Sequence, residues 1–226
     1  GMGGVILNRG ELVINSTVFS NNMGHRGGVI ADFGKTSIES SLFDSNAGVH
    51  GGAIFSNTTS SMNVKDCIFN NNVALTSIDY CAIRLYTTSW SIDEGNHHQR
   101  QSACELATGV GGAIYGNNDI FVENSQFISN SARTGGAIAS YSGKSLPSLE
   151  LRNSTFLNNR ANDTRYSKGS NDLNNFHFST GYHGGAILGN YNRLHILDSE
   201  FYFNQAIQDG GAIQARAKDG RILDSI

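Results

Sequence analysis

Gly51-Gly52-Ala53-Ile54, followed by Phe69-Asn70-Asn71-Asn72, is one copy of a two-part pattern that returns along almost the whole chain. A Gly-Gly-Ala/Val-Ile tetrad starts at Gly3, Gly27, Gly51, Gly111, Gly135, Gly184 and Gly210. A Phe-x-x-Asn partner starts at Phe19, Phe43, Phe69, Phe127, Phe156 and Phe201. Three of the tetrad-to-tetrad steps are 24 residues, a period that belongs to stacked repeats, in which length counts coils rather than cores.

Alignment on the Phe exposes a strand ahead of it: Leu12-Val13-Ile14, Thr36-Ser37-Ile38, Met62-Asn63-Val64, Ile120-Phe121-Val122, Leu149-Glu150-Leu151 and Leu194-His195-Ile196. Apolar residues at the first and third places give period two, the strand signature; Thr36 is the one exception. Two residues before each Phe stands a small side chain, from Thr17 and Ser41 through Cys67 to Ser125, Ser154 and Ser199. A small residue recurring in one register predicts an inward stack with little room. Parallel strands need a crossover, and 24 residues leave no space for a helical one. The expected fold is therefore all-β: a parallel β-helix of about seven to eight coils, rising roughly 4.8 Å per coil. Like residues then stack on like, with Ile54 in one internal ladder, Phe69 in a second and Asn72 in a third at a corner. Gly51 and Gly52 would permit a tight corner, and Asn tolerates the left-handed region that a turn requires.

The period is interrupted twice, by the insertions 73–110 and 160–183. Within the first, Tyr80-Cys81-Ala82-Ile83 resembles a tetrad without its glycines and is expected to be either a degenerate coil or part of a long loop. The second is mostly polar and reads as a lateral loop. Pro147, the single proline, falls in a smaller extension outside the ladders, as its missing N–H requires. Residues 1–226 read as a single domain. Both ends fall inside repeats, so a segment of a longer chain is expected.

Composition narrows the partners. A formal net charge of −3, with 15% charged residues and no basic run, carries no sequence-level footprint of nucleic acid. No stretch approaches the roughly 20 apolar residues of a membrane span, and no signal-like leader opens the segment.

GGAI tetrads alternating with FxxN, as in Gly51 to Ile54 and Phe69 to Asn72, resemble the repeat of the polymorphic membrane proteins, autotransporter adhesins of chlamydiae, and of related β-helix surface proteins elsewhere, including eukaryotic microbes. The resemblance covers nearly the whole chain. It implies an exported, right-handed β-helix displayed at the cell surface or outside the cell, with adhesive or structural work. It is specific for a repeat type and says little about one molecular activity.

Individual side chains have plain and functional readings. Cys81 and Cys104 lie in one insertion, where a disulfide would pin a loop exposed to an oxidising compartment; free thiols are the alternative. Cys67 stands in the Ser/Thr register and reads as a small core residue. Three cysteines without a CxxC pair predict no zinc site. The sequons at Asn15, Asn57, Asn153 and Asn162 are N-glycosylation candidates if the route is a eukaryotic secretory one. Asn57 and Asn162 are the better acceptors, being in apparent loops. Asp93, Glu94, His97 and His98 form the densest titratable group, and its ordinary reading is a solvated loop. His25, His50 and His183 precede tetrads at offsets that differ by a residue, which favours a surface ladder over a metal row. No catalytic, cofactor or metal residues are assigned.

These readings lead to a non-catalytic extracellular structural or adhesive scaffold, with a filament or surface-appendage protomer as one form of it. Its expected partners are further coils of the same chain or other copies, glycans, or a surface receptor. The competitor is a glycan-binding or polysaccharide-degrading β-helix. Degradation needs clustered carboxylates on one lateral face, whereas Asp66, Glu123 and Asp198 are spread over separate coils. Sugar binding would use outward polar residues and loop aromatics such as Tyr86, Trp90 and Tyr182, whose ordinary reading is loop packing.

Overall fold

The computed structural model describes residues 3–57, 61–75, 109–140, 146–161 and 183–225. They form 23 strands, paired in parallel throughout, and no helix occurs among the described residues. In the coil headed by Gly27 the strands are Ile30–Asp32, Lys35–Glu39, Leu42–Asp44 and Ala47–Gly48. Equivalent strands of successive coils lie side by side in sheets of 12, 6 and 5 strands. The largest sheet has two walls, one following the tetrads and one preceding the Phe residues. Ile187–Leu197 and Ile213–Leu223 run through both walls and join them. The chain is a parallel β-helix, as the period requires.

Register explains the repeat residue by residue. Ile54 lies opposite Ile30 and Ile114, and Phe69 opposite Phe43 and Phe127. The Ile and Phe ladders meet in one core with Val64, Val122, Leu151 and Ile196. From Phe43 to Phe201 neighbouring rings stack at 4.7–4.9 Å with planes within 6° of parallel. The coil rise imposes that spacing, and each stacked pair adds roughly 0.5–1.5 kcal/mol beyond the area it buries.

The Asn ladder is a hydrogen-bond chain, and at Asn72 every side-chain group is satisfied. Asn72 Nδ2 donates to Asn130 Oδ1 (3.0 Å) and to the Phe43 carbonyl (2.9 Å), while its Oδ1 accepts from the Asn46 backbone N–H and Nδ2, both at 3.0 Å. Burial of an amide is tolerable only when it is paired in this way. The expectation that these Asn residues take the left-handed conformation is corrected here. The residue before each ladder Asn does so, as at Asn71 (φ 53°) and Ser129 (φ 53°), because the ladder side chain must face inward. Phe203 takes that corner at φ 53° with its side chain exposed, where the earlier coils carry Asn or Ser.

The small-residue register works similarly. Ser125 Oγ donates to the Glu123 carbonyl (2.8 Å) and accepts from the Cys67 N–H (3.1 Å). Cys67 is buried with Sγ 3.0 Å from the Lys65 carbonyl, and burial pushes its thiol pKa up. The two tetrad glycines have different causes. Gly51 has φ 71°, a left-handed corner. At Gly52 a Cβ would lie 1.9 Å from the Gly112 carbonyl oxygen of the next coil.

Tyr80 to Ile83, the candidate degenerate coil, lie outside the described residues. Gly51 N–H donates to the Val110 carbonyl (2.9 Å) and Gly52 N–H to Gly111 (3.0 Å), so the Gly111 tetrad stacks directly on the Gly51 tetrad. The ladders skip from Asn72 to Asn130 with no coil between. Val73–Ala74 and Arg160–Ala161, which counting placed inside the insertions, are ladder strands of the smallest sheet.

Candidate interaction face

With the inward and corner positions occupied by ladders, chemistry is left to the outward residues. On the wall preceding the Phe residues, alternation sets these positions: in Met62–Lys65, Met62 and Val64 are buried and Asn63 and Lys65 exposed. Parallel registration lines such residues into columns along the rod. One column reads Asn15, Glu39, Lys65, Glu123, Arg152, Leu197 and Leu223, and the next Val13, Ser37, Asn63, Phe121, Glu150, His195 and Arg221.

In the first column charge alternates from Glu39 to Arg152. Coils about 4.8 Å apart place opposite charges beside one another, the favourable cross-strand arrangement. Successive carboxylates of the column, Glu39 and Glu123, stand two coils apart with Lys65 between. Between the columns, Arg152 Nε donates to Glu150 Oε1 at 2.7 Å. At the wall's edge Lys35 pairs with Glu11 at 3.0 Å. Ser37, Asn63, Lys65, Phe121, Glu123 and Arg152 line a shallow groove of about 310 Å³, with the Phe121 ring partly exposed. Mixed charge around an exposed aromatic suits contact with a polar partner.

A second cluster, on the tetrad wall, escaped the sequence. Phe55 and Tyr115 follow the Ile of tetrads that are neighbours in space, and their rings stack at 5.7 Å. His50 packs against both, Arg26 lies 5.5 Å over Phe55, and His25 sits 6.0 Å from His50. Burial, with His25 and Arg26 nearby, lowers the His50 pKa to about 4, so the imidazole is neutral at pH 7. The signal was present as an aromatic after the tetrad Ile, but 60 sequence positions separate the two residues. His183 belongs to the column of His50 with Val110 and Thr134 between them, and its Nδ1 lies 3.3 Å from Asp209 Oδ2. Among the described residues, no three His, Cys, Asp or Glu side chains are arranged to hold a metal ion.

The sequon residues Asn15, Asn57 and Asn153 are all exposed. Asn153 occupies a left-handed corner (φ 45°) and donates through Nδ2 to Asn124 Oδ1 at 2.9 Å. Asn162, Cys81, Cys104, the Asp93 to His98 group, Tyr86, Trp90 and Tyr182 lie outside the described residues. No helix among the described residues is long and apolar enough to cross a membrane.

The model of the Chlamydia polymorphic membrane protein repeat matches residues 66–117, a span that includes Phe69 to Asn72 and the Gly111 to Ile114 tetrad. No curated protein and no solved structure matches the chain. The chain carries a polymorphic membrane protein-like repeat, the repeat type of a surface-associated protein family, folded here as a parallel β-helix.

Proposed function

We propose that the chain is a non-catalytic, extracellular structural or adhesive scaffold, a stiff rod that presents its outward columns to a surface receptor or glycan. The observation that carries this reading is the division of labour across each strand. Inward positions repeat the same few residues, whereas the outward wall varies from coil to coil around an exposed Phe121 and a mixed-charge groove. Glu39 and Glu123 are interleaved with Lys65, and hydrolysis of a glycosidic bond calls instead for two carboxylates flanking one bond. Assembly into a filament or appendage belongs to the same proposal, because parallel coils add to one another through main-chain hydrogen bonds that a further coil or another copy can extend.

Beads coated with the purified chain, applied to epithelial monolayers, test the reading. Attachment well above that of albumin-coated beads supports adhesion, and attachment at the albumin level removes it. Incubation with acidic polysaccharides tests the competing class. Release of new reducing or unsaturated ends would establish an enzyme.

A further inference from the structure

The outward wall preceding the Phe residues is electrically lopsided, although the whole chain has a formal charge of −3. Over the coils up to Glu123, the charged groups on that wall and its edge are Arg9, Glu11, Lys35, Glu39, Lys65, Asp119 and Glu123, three cations against four carboxylates, with Asp66 at the corner. Over the three coils that follow, they are Glu150, Arg152, Arg193, Arg216, Lys218, Asp219 and Arg221, together with His195. The second set carries five permanent cations against two carboxylates. Asp198 and Asp224, exposed at its corner, bring the balance to five cations against four carboxylates.

Glu150 holds Arg152 through both Nε and Nη2, whereas Asp219 leaves more of its partners free. Asp219 lies 3.1 Å from His195 Nε2, 3.5 Å from Arg221 Nε and 3.9 Å from Arg193 Nε, and the hydrogen bond with His195, followed by the Arg221 guanidinium, holds its carboxyl below the usual carboxylate range. One carboxylate therefore gathers two guanidiniums through their Nε edges, and the terminal nitrogens of each fork can still face an anion. Arg152, Arg193 and Arg221 side chains are 60%, 52% and 62% exposed, and Arg216 and Lys218 are exposed as well.

We infer that this basic strip, built from Arg152, Arg193, Arg216, Lys218 and Arg221, is a docking surface for a linear sulfated polysaccharide. Charge complementarity selects a polyanion. Arg216, Lys218 and Arg221 lie along one strand, with Arg193 and Arg152 on the two coils before it. The cations thus spread over roughly 15–20 Å in the strand direction and meet a chain of repeated charges better than one compact anion. Sulfate matches the planar fork of arginine, which supplies four of the five cations. The inference deepens the adhesive reading and rests on it for its biological setting, though not for its chemistry.

The test uses the full 226-residue chain and heparin, with unsulfated heparosan and duplex DNA of similar length as comparators, over 50–300 mM salt. Heparin should bind, heparosan at least tenfold more weakly, and duplex DNA more weakly than heparin. Arg193→Gln/Arg221→Gln should cut heparin affinity tenfold or more and reduce the slope of log affinity against log salt, because fewer counterions are exchanged. Lys35→Gln/Lys65→Gln, at the acidic end, should leave affinity within twofold. All four positions are exposed, and an unchanged thermal midpoint checks that the variants fold. Absent heparin binding, equal loss in both double variants, or equal binding of heparin and DNA would each overturn the inference. Bead attachment separates the two proposals: if wild-type beads adhere and Arg193→Gln/Arg221→Gln beads adhere equally well, the adhesive reading stands and this surface does not serve it.

Discussion

The two sides of one wall obey different rules. On the inner side Ile38, Val64, Val122 and Leu151 succeed one another as interchangeable aliphatics, while on the outer side Ser37, Asn63, Phe121 and Glu150 share no chemistry. Both sides hang from the same backbone hydrogen bonds, so the ladder of N–H and C=O groups does not choose side chains. Burial does, because an inward residue must match the coils above and below in size and polarity, whereas an outward one meets water.

The largest effect should come from breaking the inner rule where backbone meets backbone. Gly52→Ala drives a Cβ into the Gly112 carbonyl, and the expected outcome is loss of the cooperative folded state, read by circular dichroism and proteolysis. Phe127→Ala removes a ring stacked against two others and should cost about 3–5 kcal/mol in denaturant unfolding. Asn72→Ala strands the Asn46 donors and the Phe43 carbonyl, for roughly 3 kcal/mol or more. Its outward counterpart Asn63→Ala should stay within about 0.5 kcal/mol. Equal losses at Asn72 and Asn63 would erase the distinction between the sides.

Acid should act through His50. Its folded pKa is lowered, so between about pH 6.5 and 4 the unfolded chain binds the proton more readily than the folded one. Stability from this group is complete above pH 6.5 and falls as pH drops through that window. A melting-temperature profile should therefore be shallower there for His50→Phe than for the wild type, and identical slopes would remove His50 as the cause. The smallest inward effect should be Cys67→Ser. It places a hydroxyl in a register that already holds Ser41 and Ser125, and should change stability by less than about 1 kcal/mol.

What could be read from the sequence followed the same division. The tetrad, the Phe and the ladder Asn announced themselves because stacking forces repetition, and the strand triplets emerged once aligned on Phe. The smallest sheet escaped because its strands are two residues long, too short to show a period. Its signal was a small residue two places after the ladder Asn, at Gly48, Ala74, Ala132, Ala161 and Ala206. The outer clusters were illegible for a geometric reason. Phe55 and Tyr115, or Glu150 and His195, become neighbours only after intervening residues are folded out of the count, and no outward rule makes such residues alike.

The Asn ladder has a mechanical consequence. Successive members are 24, 26, 58, 29 and 45 residues apart in sequence while holding one another at 3.0 Å in space. A pull along the rod axis loads these links in series, and each rupture frees the whole stretch of chain between two rungs. At about 3.4 Å per residue the released lengths are roughly 80, 90, 200, 100 and 150 Å. The rod would therefore lengthen under tension in unequal steps, the longest where Asn72 lets go of Asn130.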